Sequence, residues 1–333
     1  MTQASPSKPS IPAEFHRPNN LMGFYYIAHG LVLWLLPSYA AYRLFGNDGL
    51  PLSLRIAAAT VLLVLSGFGL FFMALLGHEG FHGSMNSNRT VSMCLGIVSS
   101  CAAPGFVSVG YNVVHWQHHL HTNTPKDPDY QLYRHNTTLF ARLFNGPRST
   151  AQICLRNALR LVFAPETLDR KYPFSQAEAR RFAIFNLSLA TLSGAGYAVL
   201  AATHFRVFLF VVAAPTLVSQ TYWAMAPYIE HAQTQVGEGR DTRTCTSAIM
   251  RCLLMGYNFH ICHHLYPKVQ LHKLPALHRH LESIGYLPGQ AVIERSFLNV
   301  FKIGSFATLE FASDDEHATG STPIQGARQG AKL

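Results

Sequence analysis

The chain has 333 residues, of which 49% are hydrophobic and only 13% charged, about half the roughly 25% of an ordinary soluble domain. Together with long apolar runs, this deficit sets a soluble globular protein aside and points to an integral membrane protein. The net charge of +9 lies beside apolar segments and forms no separate patch, which disfavours nucleic acid and favours an anionic membrane surface. The six cysteines, Cys94, Cys101, Cys154, Cys245, Cys252 and Cys262, form no CxxC pair and read as reduced thiols.

Residues 1–20 are polar and proline-rich, give no signal-peptide pattern and are expected to form a disordered leader. Residues 21–45 are apolar and aromatic-rich, long enough to cross a bilayer at ~20 residues per span, with a kink expected at Pro37. After a turn at residues 46–51, a second span over residues 52–77 runs straight into His78. Residues 91–110 are apolar but rich in Gly, Ser, Pro and Cys, which suits a re-entrant or interfacial segment better than a crossing. Residues 111–180 are polar and basic. Their stretch 150–163, with Arg156 and Arg160 one turn apart, suits a helix lying on headgroups and equally an ordinary solvated helix. Residues 182–203 and 207–226 form a second hairpin, residues 227–311 are again polar and basic, and residues 312–333 have the composition of a disordered tail.

The expected architecture is an all-α integral membrane protein. Four transmembrane helices in two hairpins, plus the re-entrant or interfacial segment, make one membrane domain over residues 21–311, with a helical cap from 111–180 and 227–311. Both termini then share one face. Of 26 Lys and Arg, only Arg43, Arg55 and Arg206 fall near the other face, so the positive-inside rule makes the cap cytoplasmic.

Histidine carries the chemistry. The run His115-Trp116-Gln117-His118-His119-Leu120-His121 places His115, His118 and His119 on one face of a helix. His78-Glu79-Gly80-Phe81-His82 offers two more imidazoles at i, i+4, and His260-Ile261-Cys262-His263-His264 repeats the i, i+3, i+4 pattern. Neutral imidazole binds zinc, copper, iron or nickel. Eight such ligands are too many for one ion and suit a pair, with His121 behind them and Cys262 turned away as a buried thiol. His29, inside a span, is expected to bond to a neighbouring helix. The first box also spells the His-Glu-x-x-His of zinc proteases, but that reading leaves six histidines in the other boxes unexplained, and Gly80 weakens its helix. A metal transporter would hold its ligands near the bilayer midplane, whereas these lie outside it.

His78-x-x-x-His82, His115-x-x-His118-His119 and His260-x-x-His263-His264 are joined by Thr122-Asn123, Asp127-Pro128-Asp129, Asn258-Phe259, Leu265-Tyr266-Pro267 and Leu274-Pro275-Ala276-Leu277-His278. In this order and spacing they resemble the membrane fatty acid desaturase superfamily over roughly residues 20–285. The resemblance implies a non-haem centre of two iron ions (Fe), held almost wholly by histidines, with O2 as co-substrate. It adds His231, in Tyr228-Ile229-Glu230-His231, as a further ligand. Glu79, Asp127, Asp129 and Glu230 are the carboxylates available to orient metal-bound imidazoles through their other ring nitrogen. The implied reaction inserts a double bond into a fatty acyl chain. A carotenoid or lipid hydroxylase or ketolase shares the first step, hydrogen removal from an unactivated carbon, and is the alternative. No haem-binding His-Pro-Gly-Gly segment and no flavin or NAD fingerprint occurs, so electrons are expected from a ferredoxin or a cytochrome b5-like carrier. The third box starts with His260, where front-end desaturases tend to carry Gln, which points to action mid-chain or towards the methyl end. Gly67, Phe68, Gly69, Phe71, Phe72, Tyr222 and Trp223 are expected to line an apolar channel for the chain.

Overall fold

A computed structural model describes residues 8–287 and 291–309; the tail expected over 312–333 lies outside them, as do the first seven residues of the leader. The rest of that leader is not disordered. It carries a short helix, α1 (Ala13–His16), and buries Ile11 and Phe15. Lys273 Nζ donates to the carbonyls of Glu14 and Arg17, both at 2.6 Å, and Tyr266 donates to the Pro9 carbonyl. Two apolar side chains and several main-chain acceptors are enough to seat a polar segment.

α2 (Met22–Phe45) and α3 (Leu52–His82) form the first hairpin. At ~1.5 Å per residue α3 is ~46 Å long, well beyond a ~30 Å hydrocarbon core, so its last turns can stand clear of lipid. The seam between them is made of small residues. A Cβ on Gly69 would collide with the backbone of Leu33 and Trp34, and Ser66 Oγ, paired with Ser38 Oγ at 2.7 Å, donates to the Trp34 carbonyl at 2.7 Å. Lipid provides no hydrophobic drive between helices, so close approach and such bonds must hold them. α4 (Arg89–Ser100) is ~18 Å long, too short to cross. It lies against α3 where Gly96 comes so close that a Cβ would sit 2.6 Å from the Leu76 carbonyl and 2.9 Å from the Cα of Gly80.

α5 (Ser108–His121), α6 (Pro128–Tyr133) and α7 (Leu139–Phe163) follow. α8 (Gln176–Thr203) opens with a capping box between Ser175 and Glu178. α9 (Phe205–Phe208) and α10 (Ala214–His231) are joined through a π-helical turn, Leu209–Ala213, into one run. Trp34 Nε1 donates to the Val211 carbonyl inside that turn at 2.7 Å. Among the described residues three helices are long and apolar enough to cross a membrane: Leu52–His82, Gln176–Thr203 and Phe205–His231. The expectation was four. α2 has the length, but its Tyr, His and Pro residues dilute its hydropathy.

The remaining elements are β1 (Arg243–Cys245), α11 (Ala248–Leu254), α12 (His260–Leu265), α13 (Leu274–Ser283), β2 (Val292–Glu294) and α14 (Phe297–Phe306). Leu254, Ile261, Leu271, Leu274, Leu277 and Leu281 are fully buried among them. The strands pair in parallel with Arg243 opposite Val292, the one departure from an all-α architecture among the described residues. Buried Arg142 of α7 donates to the carbonyls of Asn136 at 3.0 Å and Gly304 at 2.6 Å and to that of Ala307. Its guanidinium also lies 3.7 Å from the Tyr228 ring centre, fastening α14 to α7 and α10. His29 Nε2 lies 3.3 Å from the Leu253 carbonyl of α11, the inter-helix partner expected of it.

Candidate metal centre

Four helix ends deliver the histidines. α3 brings His78 and His82 one turn apart, with ring centres 4.7 Å from each other. α5 brings His115, His118 and His119, and α8 fixes its start, since Asn186 Oδ1 accepts from the Val109 amide at 2.9 Å. α12 brings His260, His263 and His264. It is held by β1: the Cys245 amide donates to the Asn258 carbonyl at 2.8 Å, and the Ile261 amide donates to Thr244 Oγ1 at 3.2 Å. His231 ends α10.

Ligand atoms of His78, His82, His115, His119 and His263 all lie within 4.8 Å of one another. So do those of His118, His231 and His264, and those of Glu230, His231 and His260. All nine predicted ligands fall within these groups, five in the first and four across the two that share His231, so they form two adjoining clusters. His121 does not join them; it is half-buried at the end of α5, and its carbonyl accepts from Thr124.

The donor set fits metal ions. Imidazole nitrogens about 2.0–2.1 Å from one ion lie about 3 Å from each other, and His82 Nε2 and His115 Nε2 are 3.1 Å apart. Buried nitrogens of His78, His119, His260, His263 and His264 have no hydrogen-bond partner among the described residues. A buried polar atom left so costs about 1–3 kcal/mol, a penalty that ligation removes. Burial first, and then one another's charge, hold His115, His119, His260, His263 and His264 well below the ordinary imidazole range. These imidazoles are neutral and ready to ligate.

Behind these rings stand fixed acceptors. His78 Nδ1 donates to Glu79 Oε1 at 2.9 Å, and Ser84 Oγ donates to the other oxygen. His118 Nδ1 donates to both oxygens of Asp127 at 3.0 Å. Burial opposes charge on His118, but Asp127, with Asp129 and Asp241 further off, outweighs it and carries His118 up to about 9. Asp129 lies 4.0 Å from His118 Nδ1 and is a weaker partner. His231 Nδ1 donates to the main-chain carbonyl of Asp241 at 3.0 Å, a partner that no side-chain pattern announces. Asn123, at φ 60°, reaches across to Thr234 Oγ1 and the Asp241 carbonyl, both at 2.8 Å, and so ties the loop after α5 to the loop after α10. Cys262 is buried against His278 Nδ1 at 3.8 Å, away from the ligands as expected. Fully buried Glu79 faces the far nitrogen of His78 and not open space, which is wrong for the water-activating glutamate of a zinc protease.

Of the residues expected to line a channel, three border small cavities. Phe71 and Trp223 line a small cavity of about 20 Å³ beside His115, His118 and His260, together with Tyr111, Asp129 and Tyr257. Tyr222 lines a smaller one of about 10 Å³. Phe68 packs on Tyr222 and Phe301, Phe72 on His29, and Gly67 and Gly69 are helix-contact positions against Val218 and Trp34. Room for a water-sized occupant is no acyl tunnel; large aromatics fill the space between the spans. On the other side an open cleft of about 690 Å³ reaches His82, His119 and His264, bordered by Lys8, Arg89 and Lys268.

The profile of the fatty acid desaturase family matches residues 54–296, well over half of the chain and all three histidine boxes. No curated protein matches the chain.

Proposed function

Because this chain belongs to the fatty acid desaturase family, we propose that it is an O2-dependent di-iron oxidoreductase that introduces a double bond into a fatty acyl chain. The observation that carries this reading is the meeting of nine imidazoles in two adjoining clusters, with buried nitrogens left unpartnered. Two irons bound there would supply activated oxygen, the chemistry needed to take hydrogen from a methylene that no side-chain acid or base can deprotonate. The chain's own part is positioning. Glu79, Asp127 and the Asp241 carbonyl fix ring orientation and tautomer, so that Nε2 of His78, His118 and His231 would be the atoms to hold metal. Phe71 and Trp223 form the apolar wall along which the acyl chain would approach, once their packing opens. The basic border of the wide cleft, Lys8, Arg89 and Lys268, suits an acidic electron carrier such as a ferredoxin or small cytochrome.

We read α2 as a fourth span, with termini and boxes on the cytoplasmic face. Supporting this, the α2–α3 and α8–α9 turns lie together: Arg206 sits 4.9 Å from the Tyr42 ring centre, and Arg55 pairs with Asp48 at 2.6 Å. The few cations expected on the far face thus gather at one end.

Purified protein should carry about two irons per chain, and expression in a host with saturated lipids should produce new cis double bonds in its acyl pool. Product appearing only in a β-carotene-producing host would move the substrate to carotenoids, and one zinc with no iron would remove the di-iron reading altogether.

A further inference from the structure

The nine histidines divide unequally. Five gather around one point, and the other four fall into two groups joined by His231, one with His118 and His264 and one with His260 and Glu230. The second cluster also contains a carboxylate, which differs from the others in where it stands. Glu79 and Asp127 contact Nδ1 atoms, on the side of each ring away from the ion. Glu230 instead points its Oε2 at His260 Nε2, 3.4 Å away and without a hydrogen bond, since neither ring nitrogen of His260 has one. About 3.0–3.4 Å is the separation of two donors on one ion. Its side chain accepts one long hydrogen bond among the described residues, 3.5 Å from the Tyr257 hydroxyl. Buried Glu79 does better, with His78 Nδ1 on one oxygen and Ser84 Oγ on the other. A carboxylate kept largely from water with so weak a partner is explained by a cation beside it.

We propose that Glu230 is itself a metal ligand, giving the second ion four imidazoles and one carboxylate, and is not an outer support for His260 or His231. The two ions are then unequal: one sits among neutral nitrogens alone, and the other also binds an anionic oxygen. This rests on the di-iron reading, so iron content of the unaltered protein tests that reading first; a chain without about two irons sinks both.

With the full-length protein reconstituted with ferrous iron in detergent, Glu230→Gln is expected to hold about one iron per chain, or to lose at least about tenfold in affinity for the second. Its Mössbauer spectrum should change in one ferrous doublet only. Tyr257→Phe, which removes only the long hydrogen bond, should leave both doublets and the iron count unaltered. Glu79→Gln is the outer-support control: it should weaken binding while keeping both doublets. If Glu230→Gln fails to insert, Glu230→Asp decides, because it keeps the charge but draws the oxygen back and should move the same single doublet. Two irons at unaltered affinity with both doublets unchanged, in whichever of these variants inserts, overturns the assignment.

Discussion

Asp127 shows how one side chain can organise a site. It accepts from His118 Nδ1, from the Asn123 amide at 2.9 Å and from the Asp129 amide at 2.9 Å, so that it orients a ligand, closes a loop and caps α6 together. Asp127→Asn should cut iron affinity by about 10–100-fold with membrane insertion intact, as read by chelator competition; unchanged affinity would mean that His118 is oriented by something else. The five neutral imidazoles set an acid limit for the metal-free protein. Above 6.5, their ordinary value, folded and unfolded chains both leave them neutral and pH has no leverage. Below it the unfolded chain takes up protons that the folded site refuses, so stability falls with acidification. His118, raised to about 9, acts the other way, and its contribution is complete below 6.5 and lost as pH rises towards 9. Metal-stripped protein in detergent should therefore melt at a lower temperature at about pH 5.5 than at about pH 7; a flat profile would show these rings are not held neutral by burial. Eight of the clustered histidines were legible because three boxes use helical spacing, and His231 only through the family resemblance. Asp241 was not, because a main-chain carbonyl has no sequence signature.

Between elements, the α3–α4 contact matters most for the site. Gly80 inside the first box reads in sequence as a weakness in its helix. In the fold it is what lets Gly96 pack so close that a Cβ on Gly96 would sit 2.9 Å from the Gly80 Cα, and that contact supports the turn carrying His78 and His82. Gly96→Val should cost about 1–3 kcal/mol by overpacking and reduce iron occupancy without touching a ligand. Full occupancy at lowered melting temperature would uncouple the seam from the site. The expected spans at 52–77, 182–203 and 207–226 each lie within a helix of membrane-spanning length and composition, because long apolar runs in lipid have few alternatives to helix. The π turn at Leu209–Ala213 carries no distinguishing composition, and the seat of the leader on the cap depends on residues more than 240 positions away.

For the whole molecule, the four-span arrangement predicts opposite accessibility at its two ends. Exposed Cys252 of the cap and a cysteine introduced as Asn47→Cys in the α2–α3 turn should react with impermeant maleimide from opposite sides of sealed vesicles. Labelling of both from one side would eliminate α2 as a crossing. The sequence by itself determined the helical membrane character, the family resemblance and the eight histidines of the three boxes, because hydropathy and short-range spacing are local properties that each segment carries alone; His231 came from the resemblance. The tertiary structure decided how the histidines divide between two clusters, which carboxylates stand at Nδ1 of a ring and which at Nε2, and that aromatics fill the space between the spans. Those outcomes depend on distances of a few ångströms between helices far apart in the chain, and only packing in three dimensions sets them.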